Sequence, residues 1–260
     1  MFRSVGIWIR KNKLIAFVIL FVLIAALEYF SLPNRSEIVQ LRRMNPWVTA
    51  LMDQRRDEAR DKGKKYFIRQ VWIPLSQMNE NIKHAVITAE DGTFFEHEGI
   101  DWYEIKESIK KDIQKGKFVR GASTITQQLA KNLFLSTSKD PVRKLKEILI
   151  ATALEDELSK SRILELYLNI VEWGDGIFGV EAASLAFFGK HASDLSREEA
   201  SRLAAVLPSP LRHKPNDNNR YVTYRKKYSG RNLRRRLAKR PWKNSPGHFA
   251  SHLSMNMIFN

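Results

Sequence analysis

The sequence predicts a mainly α-helical protein behind one apolar N-terminal segment, and three observations carry that expectation. Apolar residues recur at helical spacing from about Asn81 onward. Helix-capping side chains stand just ahead of those runs. No alternating strand pattern extends beyond a few residues, and no internal repeat is present.

The first element is the run LIAFVILFVLIAALEYFSL, Leu14 to Leu32, preceded by Arg3, Arg10, Lys11 and Lys13. Roughly 19 residues at about 1.5 Å each come close to spanning a bilayer's hydrocarbon core. Its one charge, Glu28, lies near the far end, within reach of the interface. A cleaved signal peptide would share the basic flank, but its apolar region is shorter and a small-residue cleavage site follows it. We therefore expect an uncleaved anchor, with residues 1–13 cytoplasmic, 14–32 in the membrane and the remainder outside. Residues 33–65 are polar and charged, which suggests a stem or the membrane-proximal edge of the domain.

The helices follow in order. In NIKHAVITAE, Ile82, Val86 and Ala89 form one stripe that ends at an acidic loop. Asp101 and Glu104 make a capping box for a helix carrying Trp102, Ile105, Ile109 and Ile113, which stops at Gly116. Thr124 and Gln127 make a second box, opening a helix to about Leu133. Asp140 with Pro141 starts a helix to about Leu158. Ile163, Leu166 and Tyr167 stripe the next one, and Ser196 with Glu199 caps another that Pro208 ends. KYFIRQVWIPL, Lys65 to Leu75, reads as a short strand or hairpin arm. The domain is expected over residues 66–240, with disorder expected over 241–260.

The 260 residues allow one sizeable domain plus an appendage, and the net charge of +16 calls for an anionic partner. With no cysteine, disulfides and thiolate metal sites are excluded. The expected topology argues against nucleic acid, although the run Arg220 to Lys243 is strongly basic.

Three stretches could do chemistry. EDGTFFEHEG, Glu90 to Gly99, sets acids beside Phe94 and Phe95. An apolar wall disfavours a charged carboxylate and can turn it into a general base, which makes Glu90 the candidate. Asp91, Glu96 and Glu98 read as structural or solvent-facing, and His97 as a structural hydrogen-bonder. GASTITQQLAKN, Gly121 to Asn132, puts Gln127 and Lys131 on one helix face and Thr124, Gln128 and Asn132 on another. That polar ladder suits an anionic or sugar ligand, and would suit a solvated face equally well. RKLKEI, Arg143 to Ile148, surrounds Glu147 with cations, as a surface salt-bridge cluster or as a phosphate site. Paired carboxylates suggest glycosidic chemistry, and the cations favour transfer from a sugar diphosphate over hydrolysis.

In that order, these motifs closely resemble the peptidoglycan glycosyltransferase family, in its monofunctional biosynthetic branch. SRILELYLNIVEWGDGIFGVEAA, FFGK and EEASRLAAVLPSP extend the resemblance over about Val71 to Pro210. The single anchor, and the lack of room for a transpeptidase domain, point to the monofunctional branch. The resemblance implies a lysozyme-like helical lobe with a smaller membrane-dipping lobe. It implies polymerisation of a lipid-linked disaccharide-peptide precursor (lipid II), with inversion and release of polyprenyl diphosphate. Glu90 would deprotonate the acceptor 4-hydroxyl, and Glu147 would support the donor side. Lys131, Arg143, Lys144 and Lys146 would be diphosphate cations. Ser123, Thr124, Gln127, Gln128 and Asn132 would line the donor groove.

No cofactor would be obligatory, although Mg²⁺ could bridge the diphosphate to a carboxylate. Membrane lipid and cell-wall synthases or division proteins would be further partners. The place would be the cell inner membrane, with the catalytic domain periplasmic. Many relatives carry an arginine near Glu107, where this chain reads EIKES and offers Lys106 instead. Lys139 likewise stands where some relatives have arginine, losing a bidentate phosphate contact. The rival readings are a lytic glycan-cleaving enzyme of similar fold and a non-catalytic binder.

Overall fold

The computed structural model describes residues 12–116, 123–138 and 140–226. Most of the expected N-terminal basic tail, Gly121, Ala122, Lys139, the greater part of the Arg220 to Lys243 run and the 241–260 tail therefore lie outside the described residues.

Helix α1, Lys13–Phe30, is 18 residues long and apolar enough to cross a membrane by length and composition. The segment after it is built into the domain rather than standing off as a stalk. Asn34 caps α2, Arg35–Gln40, by accepting from the Glu37 N–H at 3.0 Å. Ile38 and Leu41 enter the main core. Thr49 caps α3, Ala50–Asp61, and Leu51 and Met52 join Phe178 in a small second cluster. Arg55 ties α3 down further through a bidentate grip on buried Glu172, at 2.8 and 3.0 Å.

The body consists of α4 (Glu80–Glu90), α6 (Ile125–Phe134), α7 (Pro141–Glu157), α8 (Lys160–Ile170), α9 (Val180–Phe188) and α10 (Arg197–Val206). Helix α4 packs along α10, and α6 lies between α7 and α8. The expected stripes are inside: Ile82, Val86 and Ala89 on α4, and Ile163, Leu166 and Tyr167 on α8, are all buried. Each such aliphatic side chain contributes about 1.5–3 kcal/mol by leaving water. Both capping boxes, Thr124 with Gln127 and Ser196 with Glu199, close reciprocally.

Helix α5, Trp102–Lys115, forms where its periodicity predicts, but its apolar stripe is not core. Trp102, Ile109 and Ile113 are 68%, 54% and 75% exposed, and no described element covers them. Its capping box is modified as well. Asp101 accepts from the Glu104 N–H at 2.7 Å and from the Thr93 hydroxyl at 2.5 Å, which joins the helix start to the acidic loop.

Three short strands close one end: β1 (Arg69–Gln70), β2 (Glu172–Gly174) and β3 (Ile177–Phe178). Their order is β1-β3-β2, with β1 parallel and β2 antiparallel to β3. Gly176 turns between β2 and β3 at φ +70°, and a Cβ there would sit 2.4 Å from the Phe67 carbonyl oxygen. Only glycine fits that turn.

Candidate active site

Glu90 is the last residue of α4, so its side chain leaves a packed helix for a loop. It is 10% exposed and accepts from Gln128 Nε2 at 3.0 Å. Gln128 is held in turn by Tyr167, whose hydroxyl donates to Gln128 Oε1 at 3.0 Å. Burial pushes the Tyr167 phenol well above its ordinary pKa of 10.0, and the nearby Glu90 and Asp91 charges add to that. Tyr167 therefore stays a donor at any physiological pH, and the Gln128 amide keeps its NH₂ toward Glu90. Arg225, in a helical segment described from residue 220, brings Nη2 to 3.6 Å from Glu90 Oε1.

The loop beyond Glu90 is fixed by its other acid. Asp91 is buried, pairs with His97 Nε2 at 2.9 Å and accepts from the Ile125 N–H at 2.9 Å. A carboxylate at the start of α6 satisfies a backbone donor and meets the positive end of the helix dipole. Thr124 adds a hydroxyl donation to the Gly99 carbonyl at 2.6 Å. Gly99 has φ +83°, and a Cβ there would come within 3.0 Å of Glu155 Cγ, so the loop can approach α7 only with glycine. Phe94 is fully buried under the Lys160 ammonium, 4.6 Å from its ring centre, and meets Phe95 edge-on at 4.8 Å. Glu96 and Glu98 are exposed.

The second part of the site lies on the first turns of α7. Asp140 caps it, accepting from the Arg143 N–H at 2.7 Å, with Pro141 in the first turn. Glu147 is 3% exposed and holds Arg143 Nη1 at 2.6 Å on one oxygen and Lys144 on the other. Lys144 also donates to Ser123 Oγ at 2.9 Å. Lys131 on α6 lies between the two parts. Its pKa is lowered chiefly by burial and further by Arg143 and Lys144, while the Glu147 and Glu90 carboxylates pull it back up. The charges of both acids act on that ammonium, and Glu90, Gln128, Lys131 and the Glu147 group together make up the candidate polar surface.

Not every expected site residue joins this surface. Thr124 and Gln127 are buried and satisfy each other in the α6 cap, and Asn132 is buried too. Lys146 points the other way, donating to Ser31 Oγ at 2.7 Å and pairing with Glu28 of α1. Lys106 is exposed on α5. Conversely, Tyr167 and Arg225 are site neighbours that the residue patterns did not single out. Asn219 accepts from the Val222 N–H at 2.9 Å, and this cap, followed by Tyr221 and Arg225 at i,i+4 spacing, was the available signal for the helix start. Among the described residues, no group of three or more metal-ligating side chains forms.

Residues 61–234 match the family model described as transglycosylase. The chain belongs to the transglycosylase family. It is accordingly a glycosyltransferase with that family's lysozyme-like helical fold. Similar curated proteins agree, each named a biosynthetic peptidoglycan transglycosylase. One from Nitrosospira multiformis is 47% identical over 188 residues, covering 72% of this chain and 82% of the relative. One from Chromobacterium violaceum is 44% identical over 196 residues, covering 75% and 86%. One from Aromatoleum aromaticum is 43% identical over 213 residues, covering 82% and 93%. The transglycosylase match spans α4 to α10 and every residue of the polar surface described above.

Proposed function

We propose that this transglycosylase polymerises lipid II, the lipid-linked disaccharide-peptide precursor, into peptidoglycan strands with inversion and release of polyprenyl diphosphate. The observation that carries the reading is the division of one surface into two chemistries. Glu90 sits among a neutral amide and a phenol, with one guanidinium nearby, whereas Glu147 sits among cations.

In this mechanism Glu90 takes the proton from the acceptor sugar's 4-hydroxyl. That oxygen attacks the anomeric carbon of the growing strand from the face opposite the diphosphate. The new C1–O4 bond forms as the C1–O bond to phosphate breaks, which inverts the centre. Charge then accumulates on the diphosphate, where Arg143, Lys144 and Lys131 supply oriented cations. Glu147 acts by holding Arg143 and Lys144 in place. Each of its oxygens carries one of these cations, so both are held on the same carboxylate. Gln128 keeps the Glu90 carboxylate aimed.

The apolar helix α1 supports single-pass anchoring in the inner membrane, with a cytoplasmic N-terminus and a periplasmic domain. The uncovered apolar side of α5 suits a smaller lobe that dips into lipid. The test is to give purified protein lipid II and, separately, finished glycan. Polymer from the first without cleavage of the second supports transfer. Cleavage without polymer would make it a lytic enzyme.

A further inference from the structure

Helix α7 carries the cation group on one side and receives the membrane anchor on the other. Lys146 immediately precedes Glu147, yet lies about 100° around the helix from it. There it pairs with Glu28 and donates to Ser31 Oγ at 2.7 Å. At the opposite end of α7, Glu157 accepts from Arg35 at 2.6 Å and Arg42 at 2.5 Å, and its backbone oxygen accepts from Arg42 Nε at 2.8 Å. Arg162 then holds the Leu41 carbonyl at 2.7 Å and the Met44 carbonyl at 2.9 Å. Between these points Ile38 and Leu41 are buried in the core, and Leu32 packs against it.

A tether that only kept the domain near the membrane would need none of this, since ordering each residue costs about 1–2 kcal/mol of backbone entropy. Glu28 is the one charge of the apolar run and lies near its far end, and the partner it meets there indicates its use. Here that partner stands one residue from Glu147.

We propose that Glu28 and Lys146 are positioning residues: their pair fixes where the anchor leaves α7 and so sets the height of the Arg143, Lys144 and Glu147 group above the bilayer. Arg35 and Arg42 on Glu157 form the second fastening, which stops the domain from tilting about the first. The proposal rests on the polymerase reading for its kinetic consequence, but not for the docking itself.

The chain has no cysteine, so a Glu28→Cys, Lys146→Cys double variant carries only the two introduced thiols. In native membranes a short bis-maleimide reagent should join them within one chain. Before cross-linking, the variant should show KM for lipid II in vesicles raised about two- to fivefold, as expected for loss of one partly exposed ion pair. Its kcat, and its activity on a short-chain precursor in detergent, should be unchanged, because no bilayer fixes the height there. Cross-linking should restore the vesicle KM. Lack of an intrachain cross-link would overturn the docking. Equal losses in vesicles and detergent would reduce the pair to a general stabilising contact and overturn the positioning role, as would an unaltered vesicle KM. If instead the polymerase reading is wrong, the unmodified protein makes no polymer from either precursor, while the cross-link still reports on the fastening.

Discussion

The two carboxylates of the site are held in opposite ways. Glu90 ends a packed helix and receives its order from neutral groups, through a fixed sequence of Tyr167, Gln128 and carboxylate. Glu147 lies mid-helix and is ordered by charge, with Arg143 and Lys144 on its two oxygens. A group that must accept a proton gains from mainly neutral contacts, and around Glu90 the cations, Arg225 at 3.6 Å and Lys131, stand outside the hydrogen bond from Gln128. A group that organises cations gains from contact with them. The difference supports the proposed roles, proton transfer for Glu90 and electrostatic support for Glu147.

The sharpest way to break this contrast is Glu90→Gln. It should lower polymerisation about 10³-fold or more while leaving the melting temperature close to wild type, since general-base catalysis alone is worth 10²–10⁴-fold. Substantial remaining activity, measured as polymer formed from lipid II, would remove Glu90 from the chemistry. On the other side, Lys144→Met should cost about 10²-fold in kcat/KM, most of it in leaving-group stabilisation. The same change leaves buried Glu147 with one cation instead of two, so thermal unfolding should show lower stability, by up to about 3 kcal/mol.

Tyr167→Phe tests whether the neutral network matters. It leaves Gln128 Oε1 without its donor, so the amide can rotate away from Glu90. We expect roughly 1–3 kcal/mol of lost stability and a several-fold lower kcat with KM little changed. An unchanged kcat per folded enzyme would mean that the network serves packing only.

The smallest effect at neutral pH concerns Lys131. Its pKa lies below the ordinary 10.5, mainly because it is buried, so it loses its charge before free lysines do as pH rises. Binding of the diphosphate should therefore weaken on the alkaline side below pH 10.5, and Lys131→Arg should move that limb upward. The pH profile of kcat/KM measures both.

Local chemistry made much of this legible in the sequence. Thr124 with Gln127, Ser196 with Glu199 and Asp140 with Pro141 mark real helix starts because a cap involves only neighbouring residues. Lys146 shows that nearness in sequence is not nearness on a helix. Positions 143 and 144 lie four and three residues before Glu147 and share its face, whereas position 146 is turned aside. The α5 stripe shows a related limit: periodicity reveals a face but not the medium that covers it. Strands β1, β2 and β3 are too short to alternate. Tyr167 and Arg225 reach the site through packing between segments far apart in the chain, which no local pattern encodes.

The central claim is that acid chemistry and phosphate binding are separate tasks on one surface, and lipid II binding to Glu90→Gln tests it most directly. The variant should bind the precursor with wild-type affinity, while Lys144→Met binds it more weakly. Loss of precursor binding in Glu90→Gln, at unchanged stability, would contradict the division.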